Sequence, residues 1–268
     1  MKNINKKLLI EKLYSCWKDS PYPSVKVTSY FPAYVELFGH LVGEKCTFIE
    51  AGVLDGGSLF MWRNWLGENA RIIGIDLNPK ALKWKNEGFE IFIGDQADPN
   101  FWKSTYKKIG NFDALLDDGG HQSFQQIITT LESIRACNSN CVIVVEDTAT
   151  SFMKDFASHG ERSFLEYSKS ITDILTARIS NIFPDRFTSN LNRNLIEEFK
   201  KIYSVQFYSG VVAFHLNEDF AESPKLIRNR LKDGAKDYRY EGLNSAKVNW
   251  PNVFEESKIV EILGSKRL

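Results

Sequence analysis

The chain has 268 residues, with 34 lysines and arginines balanced by 34 aspartates and glutamates, so its formal net charge is zero. That balance gives no support to a nucleic-acid partner, whose phosphates are met by a basic surplus. With 43% apolar and 13% aromatic residues, the chain is also too rich in core-forming side chains for a disordered one.

The N-terminal stretch Met1 to Trp17 is basic, but its apolar run Leu8-Leu9-Ile10 stops at Glu11-Lys12. It reads as an amphipathic helix, not as the longer apolar region of a signal peptide, and no run is long enough to span a bilayer. The four cysteines (16, 46, 137, 141) show no CxxC pairing and read as free thiols of a cytoplasmic protein. From 47 onward short apolar strands alternate with helical patterns. Thr47–Ala51 is a predicted strand, followed by the glycine turn Gly52 to Gly57 and a helix over Ser58–Leu66. Further strands are expected at Arg71–Ile75, Phe89–Ile93, Phe112–Leu116 and Cys141–Val145. Phe124, Ile127, Ile128, Leu131 and Ile134 mark one apolar helix face between the last two. Ser209-Gly210 between two apolar runs is a hairpin signal. The pattern is α/β: a doubly wound, mostly parallel sheet with an antiparallel C-terminal hairpin. As one domain it divides into an N-terminal helical cap segment (1–46), a core (47–153), a helical lid insertion (154–203), the hairpin (204–216) and a tail (217–268).

The polar residues collect at the predicted strand ends. Strand one runs into Glu50-Ala-Gly52, and Gly56-Gly57-Ser58 opens the next helix, where glycines admit a ligand close to the backbone. Asp76 ends strand two, where an acid reaches a ribose diol, and Gly94-Asp95-Gln96 ends strand three, placed for an adenine edge. The turn lacks the G-x-G-x-x-G of dinucleotide sites. The Tyr-x-x-x-Lys spacings Tyr14…Lys18 and Tyr22…Lys26 precede it, so S-adenosylmethionine (SAM) is favoured over NAD. Strands four and five end in Asp117-Asp118-Gly119-Gly120-His121 and Glu146-Asp147. As neighbours in the sheet they would bring Asp118, Glu146 and Asp147 together. Mutually repelling carboxylates are reconciled by an oxygen-preferring divalent cation, Mg²⁺ or Mn²⁺. His121, facing the same mouth, suits a general base.

These motifs, Phe48-Ile-Glu-Ala-Gly52…Gly56-Gly-Ser58, Ile73-Gly-Ile-Asp76, Gly94-Asp-Gln96, Asp117-Asp-Gly-Gly-His121 and Val145-Glu-Asp147, resemble those of the metal-dependent sugar O-methyltransferases. The likeness is to the mycinamicin-type macrolide-sugar enzymes and, more distantly, to the rhamnosyl O-methyltransferase and cephalosporin-hydroxylase group. The resemblance implies a Rossmann-like class I methyltransferase with a seven-stranded sheet. It implies that Glu50, Gly52, Ser58, Asp76, Asp95, Gln96 and Asp117 surround SAM. Asp118, Glu146 and Asp147 would ligate Mg²⁺, and His121 would be the catalytic base. Ser24-Val-Lys26…Tyr30 is similar to the segment that closes over the cofactor, adding Lys26 and Tyr30 to the cofactor site; the usual acid between Ser and Lys is Val25 here. The expected acceptor is a small-molecule sugar or sugar nucleotide of bacterial surface polysaccharide synthesis, with a homo-oligomer as the assembly. The alternatives are a small phenolic or antibiotic acceptor, or a hydroxylase-like or silent protein on the same scaffold.

Overall fold

The computed structural model describes residues 6–137, 140–156, 162–178 and 197–221. Much of the expected insertion and nearly all of the tail fall outside these residues. Helix α1 (Lys6–Lys18) buries Leu13 and is otherwise largely solvated. Helix α2 (Tyr30–Phe38) buries seven of its nine residues. Strand β1 (Thr47–Ala51), α3 (Gly57–Leu66), β2 (Arg71–Asp76), β3 (Glu90–Ile93), α4 (Pro99–Ile109) and β4 (Ala114–Asp117) then alternate. Helix α5 (Ser123–Ala136), β5 (Cys141–Val145), α6 (Phe164–Ala177), β6 (Ile202–Tyr208) and β7 (Val211–Leu216) follow. The segment after Pro79 forms 3-10 turns through Glu87, with Asn78 capping them by accepting the Lys80 N–H at 3.0 Å.

The strands form one seven-stranded sheet in the order β3-β2-β1-β4-β5-β7-β6. β1 to β5 are parallel, and β7 runs antiparallel to both β5 and β6. Alternation along the strands separates two apolar layers. Phe48, Leu116 and Val144 pack with α2, α3 and Trp62 on one face; Ile49, Leu115 and Ile143 pack with Trp102 and Phe112 on the other. All five residues of β5 are buried, as a strand covered on both faces requires.

Register fixes what happens at the carboxyl edge. Ala51 pairs with Asp117, and Asp117 pairs with Val145, so Gly52, Asp118 and Glu146 leave the sheet side by side. The parallel strands set Asp118 beside Glu146, as their predicted adjacency required.

Helix α5 keeps most of its expected face: Ile134 is buried and Ile127, Ile128 and Leu131 pack half-buried against the core, while Phe124 is exposed. Beside that stripe Gln126, Thr129, Thr130 and Ser133 are buried as well. Most of these polar groups have buried partners. Gln126 Nε2 donates to the Glu146 carbonyl, Gln96 Nε2 donates to Thr129 Oγ1, and Ser133 Oγ shares a hydrogen bond with the Tyr106 hydroxyl. Hydrophobic periodicity does not register a face held in this way. Among the described residues no helix is long and apolar enough to cross a membrane, and all four cysteines are free.

The chain between α1 and α2 lies against the start of α3. Ser20 Oγ donates to the Gly57 carbonyl at 2.8 Å, and the Tyr22 ring meets Trp84 edge-on at 4.4 Å. A Cβ at Gly57 would lie 2.3 Å from the Tyr22 carbonyl oxygen and 2.5 Å from that of Pro23, so backbone must move to admit one. Gly57→Ala should therefore lower stability by about 1–3 kcal/mol. A urea-unfolding midpoint equal to wild type would show that this strap is not packed as described.

Candidate active site

Glu50, Asp118, Glu146 and Asp147 converge beyond the strand ends, and one ammonium sits among the first three. The Lys26 side chain is wholly buried. Its Nζ donates to Asp118 Oδ2 and to Glu146 Oε1 (3.0 Å) and lies 3.9 Å from Glu50 Oε1. Burial works to lower the Lys26 pKa, but attraction by Asp118 and Glu146 outweighs it, and the net shift is upward. Aromatic donors complete the shell. Trp62 Nε1 donates to Glu50 Oε1 at 2.9 Å, while Ser58 Oγ donates to Glu50 Oε2 at 2.8 Å. The Tyr30 hydroxyl donates to Asp147 Oδ1 at 2.7 Å, and the Tyr34 hydroxyl to Glu146 Oε2. Burial, opposed by Lys26, raises the Glu50 carboxyl to about 7 and pushes Glu146 well above the usual carboxylate range.

Four carboxyl groups share this corner with one ammonium. Ligand atoms of Asp118, His121 and Asp147 lie within 4.8 Å of one another, the one such group among the described residues. Two carboxylates and an imidazole suit a divalent cation; the expected ligand Glu146 is not in this group, its oxygens accepting from Lys26 and Tyr34. His121 Nε2 is 3.6 Å from Asp147 Oδ2, while its Nδ1 is buried without a partner.

From this corner a cavity of about 700 Å³ runs along the strand ends. It is lined by Lys26, Tyr30, Gly52, Ser58, Asp76, Asp95, Gln96, Asp118, His121, Glu146 and Asp147, among others. Among the described residues the three non-glycine positions with left-handed φ, Leu54 (46°), His121 (58°) and Asp147 (56°), all line it. Conformations of this kind persist where surrounding structure enforces them, as at functional sites. Gly52 has φ 93°, and a Cβ there would lie 1.9 Å from the Asp118 carbonyl oxygen, so only glycine lets the β1 and β4 loops touch. Asp76 grips the glycine loop, accepting from the Val53 and Leu54 N–H groups at 2.9 and 3.1 Å.

Two of the predicted site residues stand behind the wall. Glu50 is fully buried and does not line the cavity; it holds Ser58, Trp62 and Lys26. Asp117, also buried, accepts from Gln96 Nε2 at 3.0 Å and from the Gly119 N–H at 3.1 Å. Gln96 lines the cavity but turns its amide inward, and its Oε1 accepts the Gly120 N–H at 2.8 Å. Sequence reasoning missed Tyr34 and the polar face of α5. The i, i+4 spacing of Tyr30 and Tyr34 was the available signal for the first.

No protein-family model matches the chain. Over 137 residues it is 27% identical to the 8-demethyl-8-alpha-L-rhamnosyl tetracenomycin-C 2'-O-methyltransferase of Streptomyces olivaceus, covering 48% of this chain and 36% of that protein. It is 23% identical to the mycinamicin VI 2''-O-methyltransferase of Micromonospora griseorubida over 177 residues, 62% of this chain and 44% of that protein. The chain thus spans less than half the length of these curated relatives. Its backbone superposes on the MycE methyltransferase of mycinamycin biosynthesis, solved in complex with Mg and SAH, with a TM-score of 0.64. That likeness, at 20% identity, covers 78% of this chain and 53% of MycE. The fold is that of a class I methyltransferase.

The raised Glu50 pKa has a stability consequence. The folded chain holds that proton up to about pH 7, whereas an ordinary glutamate (4.5) releases it earlier. The folded state therefore binds more protons in this window, and in metal-free buffer stability falls as pH rises from about 4.5 to about 7. Glu50→Gln should make this decline shallower, though Asp117 and Glu146, shifted the same way by burial, retain part of it. Thermal melts between pH 5 and 8 that fall equally steeply in both proteins would contradict this.

Proposed function

We propose that this protein is a SAM-dependent O-methyltransferase that uses Mg²⁺ to methylate a sugar hydroxyl. The observation that carries the reading is the convergence of Asp118, His121 and Asp147 at the end of a cavity lined further along by Asp76 and Asp95. The methyltransferase fold and the similarity to two sugar O-methyltransferases support it.

In this reading Asp76 and Asp95 take the ribose and adenine ends of the cofactor, Gly52 allows its close approach, and Gln96 with Asp117 braces the loop beneath it. Ser58, Lys26 and Tyr30 complete the wall, and an acid-lined cavity suits a cationic sulfonium. Asp118, Glu146 and Asp147 would hold Mg²⁺, which would supply Lewis acidity to make the acceptor hydroxyl easier to deprotonate. His121 would remove the acceptor proton, its Nε2 lying 3.6 Å from Asp147 Oδ2. The methyl would pass from the sulfonium of SAM to the acceptor oxygen as the sulfur–carbon bond breaks and S-adenosylhomocysteine leaves, and the cavity would serve by positioning the two reactants. A nucleotide-linked sugar or surface glycan as acceptor is the finer part of the proposal. It rests on the Lys-, Asn-, Ile- and Phe-rich composition typical of AT-rich bacterial genomes.

The test is a panel of nucleotide sugars and rhamnosyl glycosides incubated with SAM and Mg²⁺, read by a mass gain of one methylene. Turnover should vanish with EDTA and return with Mg²⁺. His121→Ala should reduce kcat by about 10²–10⁴-fold while still binding S-adenosylhomocysteine (SAH). Full activity in EDTA would remove the metal from the reaction, and near-wild-type turnover by His121→Ala would remove the base.

A further inference from the structure

Three of the four clustered carboxylates accept a hydrogen bond from an aromatic side chain, and two of those donors come from one helix. Tyr30 and Tyr34 are four residues apart on α2, so both hydroxyls leave the same face. They meet consecutive residues of the loop after β5: Tyr30 reaches Asp147 Oδ1 at 2.7 Å and Tyr34 reaches Glu146 Oε2. The two tyrosines are otherwise unlike. Tyr30 lines the cavity, and its hydroxyl lies against Gly210 in the β6–β7 turn, where a Cβ would approach it to 2.6 Å. Tyr34 has no exposed surface and does not line the cavity. Its ring stacks on Phe38 at 6.1 Å and meets Trp62 edge-on at 5.1 Å and Phe31 at 6.3 Å. Such packing leaves the ring no room to turn, so its hydroxyl is a fixed point.

We infer that Tyr34 is a positioning residue whose hydroxyl locks the orientation of Glu146 and thereby sets how tightly the carboxylate cluster holds a divalent cation. This deepens the proposed function and rests on its assignment of Asp118, Glu146 and Asp147 as metal ligands. Glu146 has three side-chain torsions, and two contacts remove that freedom: Lys26 Nζ at Oε1 and Tyr34 at Oε2. Lys26 is shared with Asp118 and Glu50 and answers to the charge of the whole cluster. Tyr34 touches Glu146 alone among the four carboxylates, which makes its hydroxyl the specific restraint on that side chain. Hydrogen bonds that orient ligating carboxylates typically change metal affinity by about 10–100-fold when removed.

Tyr34→Phe isolates the hydroxyl. It keeps the ring and every aromatic contact, and Glu146 retains Lys26 as a partner, so the variant should fold. The measurement is a Mn²⁺ titration of the full chain saturated with SAH, following loss of the free-ion EPR signal. Mn²⁺ affinity should fall about 10–100-fold, with SAH affinity within about threefold of wild type. In turnover, the Mg²⁺ concentration giving half-maximal rate should rise while kcat at saturating Mg²⁺ stays within a few-fold. Mn²⁺ affinity within twofold of wild type would overturn the role of Tyr34 while leaving the metal site intact. Equal losses of SAH and Mn²⁺ affinity would reduce Tyr34 to a packing residue. If wild-type protein binds no Mn²⁺, the metal assignment falls and this inference with it.

Discussion

Three carboxylates crowded around one buried ammonium, two of them (Glu50 and Glu146) taken out of water, are the constraint on which the rest of the architecture turns. Like charges this close oppose one another's ionisation, and burial opposes it further. The raised Glu50 and Glu146 carboxyls record that opposition directly. Each neighbouring element supplies a remedy. The strap before α2 delivers Lys26, α2 delivers Tyr30 and Tyr34, and α3 delivers Ser58 and Trp62. Carboxyl groups still outnumber the one ammonium here, which is the imbalance that the proposed divalent cation and cationic cofactor would offset.

The cluster exists because of strand register. Parallel pairing of β1, β4 and β5 puts Gly52, Asp118 and Glu146 at one level, and backbone strain does the final aiming. Asp147 and His121 turn back through left-handed φ, which places the carboxylate and the imidazole at the same cavity mouth. Gly52, with no side chain, lets the two loops touch.

Much of this was legible in the sequence because it is local. Five strand segments, the Ser209-Gly210 hairpin and the acids at strand ends all follow from short-range pattern, and the parallel order brings Asp118 beside Glu146. What escaped was tertiary. Glu50 and Asp117 have the residue type of ligand-binding acids, yet the pleat turns Glu50 towards Trp62 and buries Asp117 beneath Gln96. Helix α5 packs most of its apolar stripe as expected, but beside it Gln126, Thr129 and Ser133 are buried too, because they find partners in the interior. Tyr34 escaped because the carboxylate it bonds lies 112 positions away.

The proposed chemistry needs the acidic corner to be a metal site. Crystals grown with SAH and Mn²⁺ test this most directly, through the anomalous scattering of manganese. A single strong peak is expected among the carboxylates of Asp118, Glu146 and Asp147, beside His121, and it should be lost in Asp118→Asn crystals. Clear SAH density without a manganese peak at this corner, or with a peak elsewhere only, would contradict it.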